Sequence, residues 1–138
     1  MHKYNKLLRY NFTYRRINVD ATMRIKAPQF FGGIVLPKTE VGVYSDADLA
    51  TVIGKSFVRG TLILNHGMKF NRDVTVLNGG IIIVEETPEG TVDFDTGVKI
   101  ESGGKIVFKS GSNVEIKTME FSEDSEIVVE ANSKINIG

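Results

Sequence analysis

The sequence predicts an all-β fold, a three-sided parallel β-helix (a solenoid) of about four rungs behind a non-repeating N-terminal segment. Three observations predict it. Residues 74–138 repeat short apolar–x–apolar triplets in three columns. Over the last two rungs every column advances by 21 residues, and a fixed period of that size marks stacked coils. Between the triplets lie bends rich in Gly, Asn and Ser, residues that accept the backbone angles of tight turns.

The first column reads Val74/Val76, Val98/Ile100 and Met119/Phe121. The second reads Ile81/Ile83, Ile106/Phe108 and Ile127/Val129, and the third Val92/Phe94, Val114/Ile116 and Ile135/Ile137. Side chains alternate along a strand, so the two outer members of a triplet face inward and the middle one outward. One rung cannot bury its own core, which is why the unit must recur. The earlier step is longer, an excess the sequence assigns to the Thr-Pro-Glu-Gly stretch at residues 87–90. A β-sandwich also spaces short strands this way, but it does not require three columns in phase. The usual crossover hand favours a right-handed coil.

Residues 1–51 are expected to form a capping or docking segment, and residues 52–138 the β-helix. Residues 8–19 read as a strand, with Leu8, Tyr10, Phe12 and Tyr14 on one face and Arg9, Asn11, Thr13 and Arg15 on the other. Met23 and Ile25 suggest a second strand, ended by Pro28. Residues 46–52 are expected to make a helical turn capped by Ser45. A weak first triplet is expected near residues 52–54, followed by Leu62/Leu64 and Met68/Phe70.

The formal net charge of zero conceals a segregation. Residues 1–26 carry Lys3, Lys6, Arg9, Arg15, Arg16, Arg24 and Lys26 against Asp20 alone, and the rest of the chain is acidic by the same margin. A basic arm built around Arg9, Arg15, Arg16, Arg24 and Lys26 suits an acidic surface, the chain's own solenoid first among them. Nucleic acid is not favoured as a partner: aromatics alternating with basic residues could stack bases, but no recognised nucleic-acid motif accompanies them. With no cysteine, disulfides, thiolate ligands and thiol nucleophiles are excluded. No apolar run is long enough to span a bilayer, and no apolar region follows the basic N-terminal residues as a secretory signal would require. The expectation is synthesis in the cytoplasm, with the final location open and an assembled structure or virion included.

The outward positions carry the functional expectation. Column one turns out Thr75, Lys99 and Glu120, and column three Lys69, Asp93, Glu115 and Asn136. Column two turns out Ile63, Ile82, Val107 and Val128, an apolar side chain in each rung. A strand apolar on both faces is covered on both, here either by the chain's own residues 1–50 or by another protein at an oligomer interface. The sequence stops on a complete rung, so Ile127, Val129, Ile135 and Ile137 are expected to form an open end, belonging to a fragment or covered by another subunit.

Few residues suggest chemistry. His66 sits in a bend, where a polar turn residue accounts for it; a catalytic base would also need an orienting partner. Asp93 and Glu115 are expected side by side on adjacent rungs at about 5 Å, the separation of paired carboxylates in retaining glycosidases. No phosphate loop, metal-ligand spacing or nucleophile elbow is present. No catalytic residue, metal ligand or cofactor is assigned.

The phrases Gly-Val-Lys-Ile (97–100), Gly-Gly-Lys-Ile-Val-Phe (103–108) and Ser-Lys-Ile-Asn-Ile-Gly (133–138) resemble coils of parallel β-helix proteins. These include bacterial surface solenoids, phage fibre and spike modules, and bactofilin-like polymers. The segment is also similar to the early coils of hexapeptide-repeat sugar acyltransferases. Two departures stand against that version: the period is 21 where three hexapeptides give 18, and no histidine lies in or after the regular coils. The apolar outward row and the open last rung lead to the expectation of a non-catalytic structural or assembly module that associates with itself or another structural protein, in a filament, fibre or virion. A sugar acyltransferase-like or carbohydrate-active protein, or a fragment of one, is the competing expectation.

Overall fold

A computed structural model describes residues 17–20, 22–25, 30–31, 35–36, 50–52, 55–65, 67–88 and 90–138. All described regular structure is β, in three parallel sheets stacked as a solenoid of about four turns. The first full coil comprises β6 (Ser56–Val58), β7 (Thr61–Leu64) and β8 (Met68–Phe70). Above it lie β9 (Val74–Val76), β10 (Ile81–Val84) and β11 (Val92–Phe94), then β12 (Val98–Ile100), β13 (Lys105–Phe108) and β14 (Asn113–Ile116). The last coil is β15 (Met119–Phe121), β16 (Glu126–Val129) and β17 (Lys134–Ile137).

The predicted columns are the three sheets. Val74 pairs with Val98 and Val98 with Met119, and Val92 pairs with Val114 and Val114 with Ile135. The backbone ladder continues through the corners, as in Val74 N to Gly97 O at 3.1 Å and Lys105 N to Gly80 O at 3.0 Å. The interior is therefore a continuous apolar cluster running from Val58 to Ile116, with Met119, Ile127 and Ile135 packed on it. In the third sheet Phe70 and Phe94 stack with ring centroids 4.9 Å apart. Such pairs add about 1 kcal/mol to the burial itself.

Column two has a different register from the expected one. In β10 it is Ile82 and Val84 that are buried, while Ile81 and Ile83 are half-buried on the outer side. Ile82 pairs with Leu62 below and Ile106 above. The corner fixes this. Gly80 N donates to Leu77 O at 2.8 Å and Gly104 N to Glu101 O at 2.8 Å, so Gly80 and Gly104 close equivalent turns and the residues after them, Ile81 and Lys105, start their strands in step. Gly80 has no substitute: a Cβ there would stand 2.0 Å from Val58 O. Gly79 and Gly103, both at φ 81°, supply the left-handed residue of each turn.

The longer early step has two sources. Two extra residues lie in the loop between β10 and β11, and one in the corner between β11 and β12. The loop is tied down at Thr87, whose N donates to Gly111 O at 3.2 Å and whose buried Oγ1 accepts from Asn113 N at 2.9 Å.

Below the first full coil, β1 (Ile17–Val19), β2 (Thr22–Ile25) and β5 (Ala50–Val52) pair in parallel with β6, β7 and β8. The strand expected over residues 8–19 is described only at β1, and the one expected at Met23 and Ile25 is β2. Beneath these, β3 (Phe30–Phe31) joins β5 and β4 (Val35–Leu36) joins β1, so the chain drops a level before climbing. The three sheets thus run back past residue 52. Val52 belongs to the third sheet, and the first-sheet strand of the first full coil is Ser56–Val58. The expected helical turn over residues 46–52 is contradicted at its described end, where Ala50–Val52 is strand. Its β-branched Thr and Val fit a pleated position beside Lys69 and Phe70 better than a helix.

Candidate functional site

The outer faces of the three sheets differ in chemistry. On the first sheet the middle outward row is Phe57, Thr75, Lys99 and Glu120. On the third it is Lys69, Asp93, Glu115 and Asn136. On the second it is Ile63, Ile83, Val107 and Val128, paired rung on rung. Of the residues expected there, Ile63, Val107 and Val128 face outward, but Ile82 is turned into the core and Ile83 stands in its place. Val107, flanked by Ile83 and Val128, is 9% exposed yet lies outside the core cluster. Ile63, Ile83 and Val128 are half-buried. The parallel outward row on the same strands is mixed: Thr61, Ile81, Lys105 and Glu126, the last two bridged at 3.5 Å.

The corners beside the two upper coils of this face are acidic, whereas the corner before β7 carries Arg59, which lies 3.4 Å from Asp20. Glu101, Glu123 and Asp124 lie before the strands and Glu85, Glu86 and Glu130 after them, with Lys109 among the latter. Several of these carboxylates accept hydrogen bonds, Asp124 from Ser102 Oγ at 2.8 Å and Glu130 from Ser110 N at 3.0 Å.

The carboxylate pair expected on the third sheet is adjacent: Asp93 and Glu115 are directly paired. Burial, then Asp95 and Glu115, hold the Asp93 carboxyl above its ordinary range against the opposing pull of Lys69. Lys69 Nζ lies 3.7 Å from Asp95 Oδ2, which places a cation at one end of the row. A shallow groove on the first sheet is lined by Asp73, Thr75, Lys99, Thr118 and Glu120 around Gly97 and Val98.

On the last described coil Ile127 and Ile135 are half-buried against the core, whereas Val129 is 58% and Ile137 53% exposed. His66 lies outside the described residues, as do Arg9, Arg15, Arg16 and Lys26; Arg24 is described only as backbone in β2. Among the described residues no three His, Cys, Asp or Glu side chains are grouped to hold a metal, and no helix is long and apolar enough to cross a membrane. By fold the chain is an all-β parallel solenoid. Comparison with protein-family models, curated proteins and solved structures yields no match.

Proposed function

We propose that the chain is a non-catalytic structural or assembly module that associates through the outer face of its second sheet, as a component of a filament, fibre or virion does. The observation that carries this reading is the outward row Ile63, Ile83, Val107 and Val128, set against polar or mixed rows on the other two sheets. Val107 is already buried within the row, and covering the apolar surface that Ile63, Ile83 and Val128 leave half-exposed is favourable by about 25 cal/mol per Å². Its β-branched members are stiff, so ordering them at an interface costs little side-chain entropy. Sedimentation velocity over a concentration series tests the reading. The expected result is a mass that grows with concentration for the native chain and stays monomeric for Val107→Asp. A native chain that remains a monomer throughout overturns it.

A carbohydrate-active reading has one observation in its favour, the raised Asp93 carboxyl beside Glu115. Cleavage of an oligosaccharide that is lost in both Asp93→Asn and Glu115→Gln would support it; no cleavage by the native chain would dismiss it.

A further inference from the structure

We propose that the groove around Gly97, on the outer face of the first sheet, binds a small zwitterion: an α-amino acid, with its ammonium in the gap at Gly97 and its carboxylate on Lys99. The site lies on a different sheet from the apolar row and does not rest on association through that row.

The groove is a gap in a regular array. Asp73, Gly97 and Thr118 immediately precede Val74, Val98 and Met119, which are stacked one on another in the first sheet. Thr75, Lys99 and Glu120 form the next outward row, paired rung on rung. Every one of these positions except Gly97 carries a polar side chain, and the missing one leaves an open space of about 140 Å³. At about 30 Å³ for each water in the liquid, that is the room of roughly four or five waters, which suits a ligand the size of glycine or alanine. The backbone keeps the gap: Gly97 is buried, and a Cβ there would run into Thr118 Oγ1.

Charge selects the ligand. Asp73, Lys99 and Glu120 are exposed, and among the described residues none of them closes an ion pair. Elsewhere on the coil such neighbours do pair, Lys69 with Asp95 and Lys105 with Glu126. Thr118 Oγ1 donates to Thr96 O at 3.3 Å, so its hydroxyl has only acceptor capacity left. Gly97 is thus bordered by acceptors on Asp73, Thr118 and Glu120, with one cation, Lys99, beside them. An ammonium has donors and no acceptor, and a carboxylate has acceptors alone. The first satisfies the border and the second satisfies Lys99. A bare cation meets Lys99 as a like charge, and a bare anion meets Asp73 and Glu120, so each is disfavoured against a molecule that carries both groups.

Glycine is the probe. Backbone amide resonances of the isotope-labelled full-length chain are followed as glycine is added, with circular dichroism to check that each variant keeps the coil. The expected result is saturable shifts at Gly97, Val98 and Lys99, with a dissociation constant of about 1 mM for a ligand of so few atoms. Methylammonium and acetate, which each carry one of the two charges, should bind more weakly by roughly three- to fivefold, the worth of one exposed charge pair. Lys99→Gln and Asp73→Asn should each weaken glycine binding by a similar factor. The two substitutions are made separately on exposed side chains, so either one decides if the other unsettles the coil. Shifts that rise in proportion to glycine without saturating overturn the proposal. Equal binding of methylammonium and glycine makes the groove a plain cation site and overturns the zwitterion. An affinity unchanged by the substitutions takes glycine away from the groove and overturns it as well.

Discussion

Replacing Ile82 and Ile83 separately by Ala should give two very different losses of stability. Ile82 is fully buried, between Leu62 in the coil below and Ile106 in the coil above. Truncation removes three carbons, about 2.4 kcal/mol of transfer free energy at about 0.8 kcal/mol each. A cavity cost is added, and the site has little freedom to collapse. Hydrogen bonds from Ile81 N to Gly60 O at 2.9 Å and Glu85 N to Leu64 O at 2.8 Å pin β10 to the coil beneath at both ends. The total should approach about 3–4 kcal/mol, within the range for such truncations. Ile83 is half-buried on the outer side and should lose about 1 kcal/mol or less. Urea unfolding followed by circular dichroism, at a concentration where the chain is monomeric, measures both. In a thermal scan the Ile82→Ala midpoint should fall by about 10 °C. If Ile83→Ala costs as much as Ile82→Ala, the inward set of the second sheet is misassigned and the outward row with it.

Other substitutions probe the corners and the charged row. Gly80→Ala should cost more than about 3 kcal/mol, since its Cβ would meet Val58 O, while Gly79→Asn at φ 81° with open space around it should cost under about 1 kcal/mol; comparing urea midpoints checks both. Thr87→Ala leaves Asn113 N without its side-chain acceptor and should lose about 1–2 kcal/mol, with amide exchange at Asn113 accelerated. For Asp93 the raised folded value means that the folded chain holds the proton more tightly than the unfolded one. Its charged form is therefore penalised above the folded value, and the penalty fades as pH falls through that value toward the ordinary 3.8. Asp93→Asn should stabilise the chain at pH 7 and give a smaller gain near pH 4; a gain that is unchanged by acidification would refute this.

How far the fold could be read depended on how strictly each strand alternates. Val-Thr-Val, Val-Lys-Ile and Val-Asp-Phe admit one inward pair each, and the first and third sheets follow them. Ile81-Ile82-Ile83-Val84 admits two, because every position is apolar. The signal that separates them lay in the corner: Asn78-Gly79-Gly80 matches Ser102-Gly103-Gly104, which sets Ile82 over Ile106. Ile17-Asn18-Val19 and Met23-Arg24-Ile25 are triplets that pair with β6 and β7 far along the chain, and the descent through β3 and β4 between them breaks the fixed period that would have announced it. The adjacency of Asp93 and Glu115 followed from aligning the triplets Val92/Phe94 and Val114/Ile116, which pair in the third sheet. The raised Asp93 carboxyl did not, because it depends on burial and on Asp95 two residues away. An outward face is legible only once the inward set is known, which is why a single register error exchanged Ile82 for Ile83.

The proposed association depends on Ile83 and Val107 standing next to each other on the outside of one parallel sheet. Nitroxide labels on an Ile83→Cys/Val107→Cys chain, diluted with unlabelled protein, report that spacing by continuous-wave electron paramagnetic resonance. Adjacent rungs lie about 4.8 Å apart, so the doubly labelled spectrum should be strongly broadened relative to the sum of the single labels. A spectrum that equals that sum would contradict the stacked coil and the outward row together.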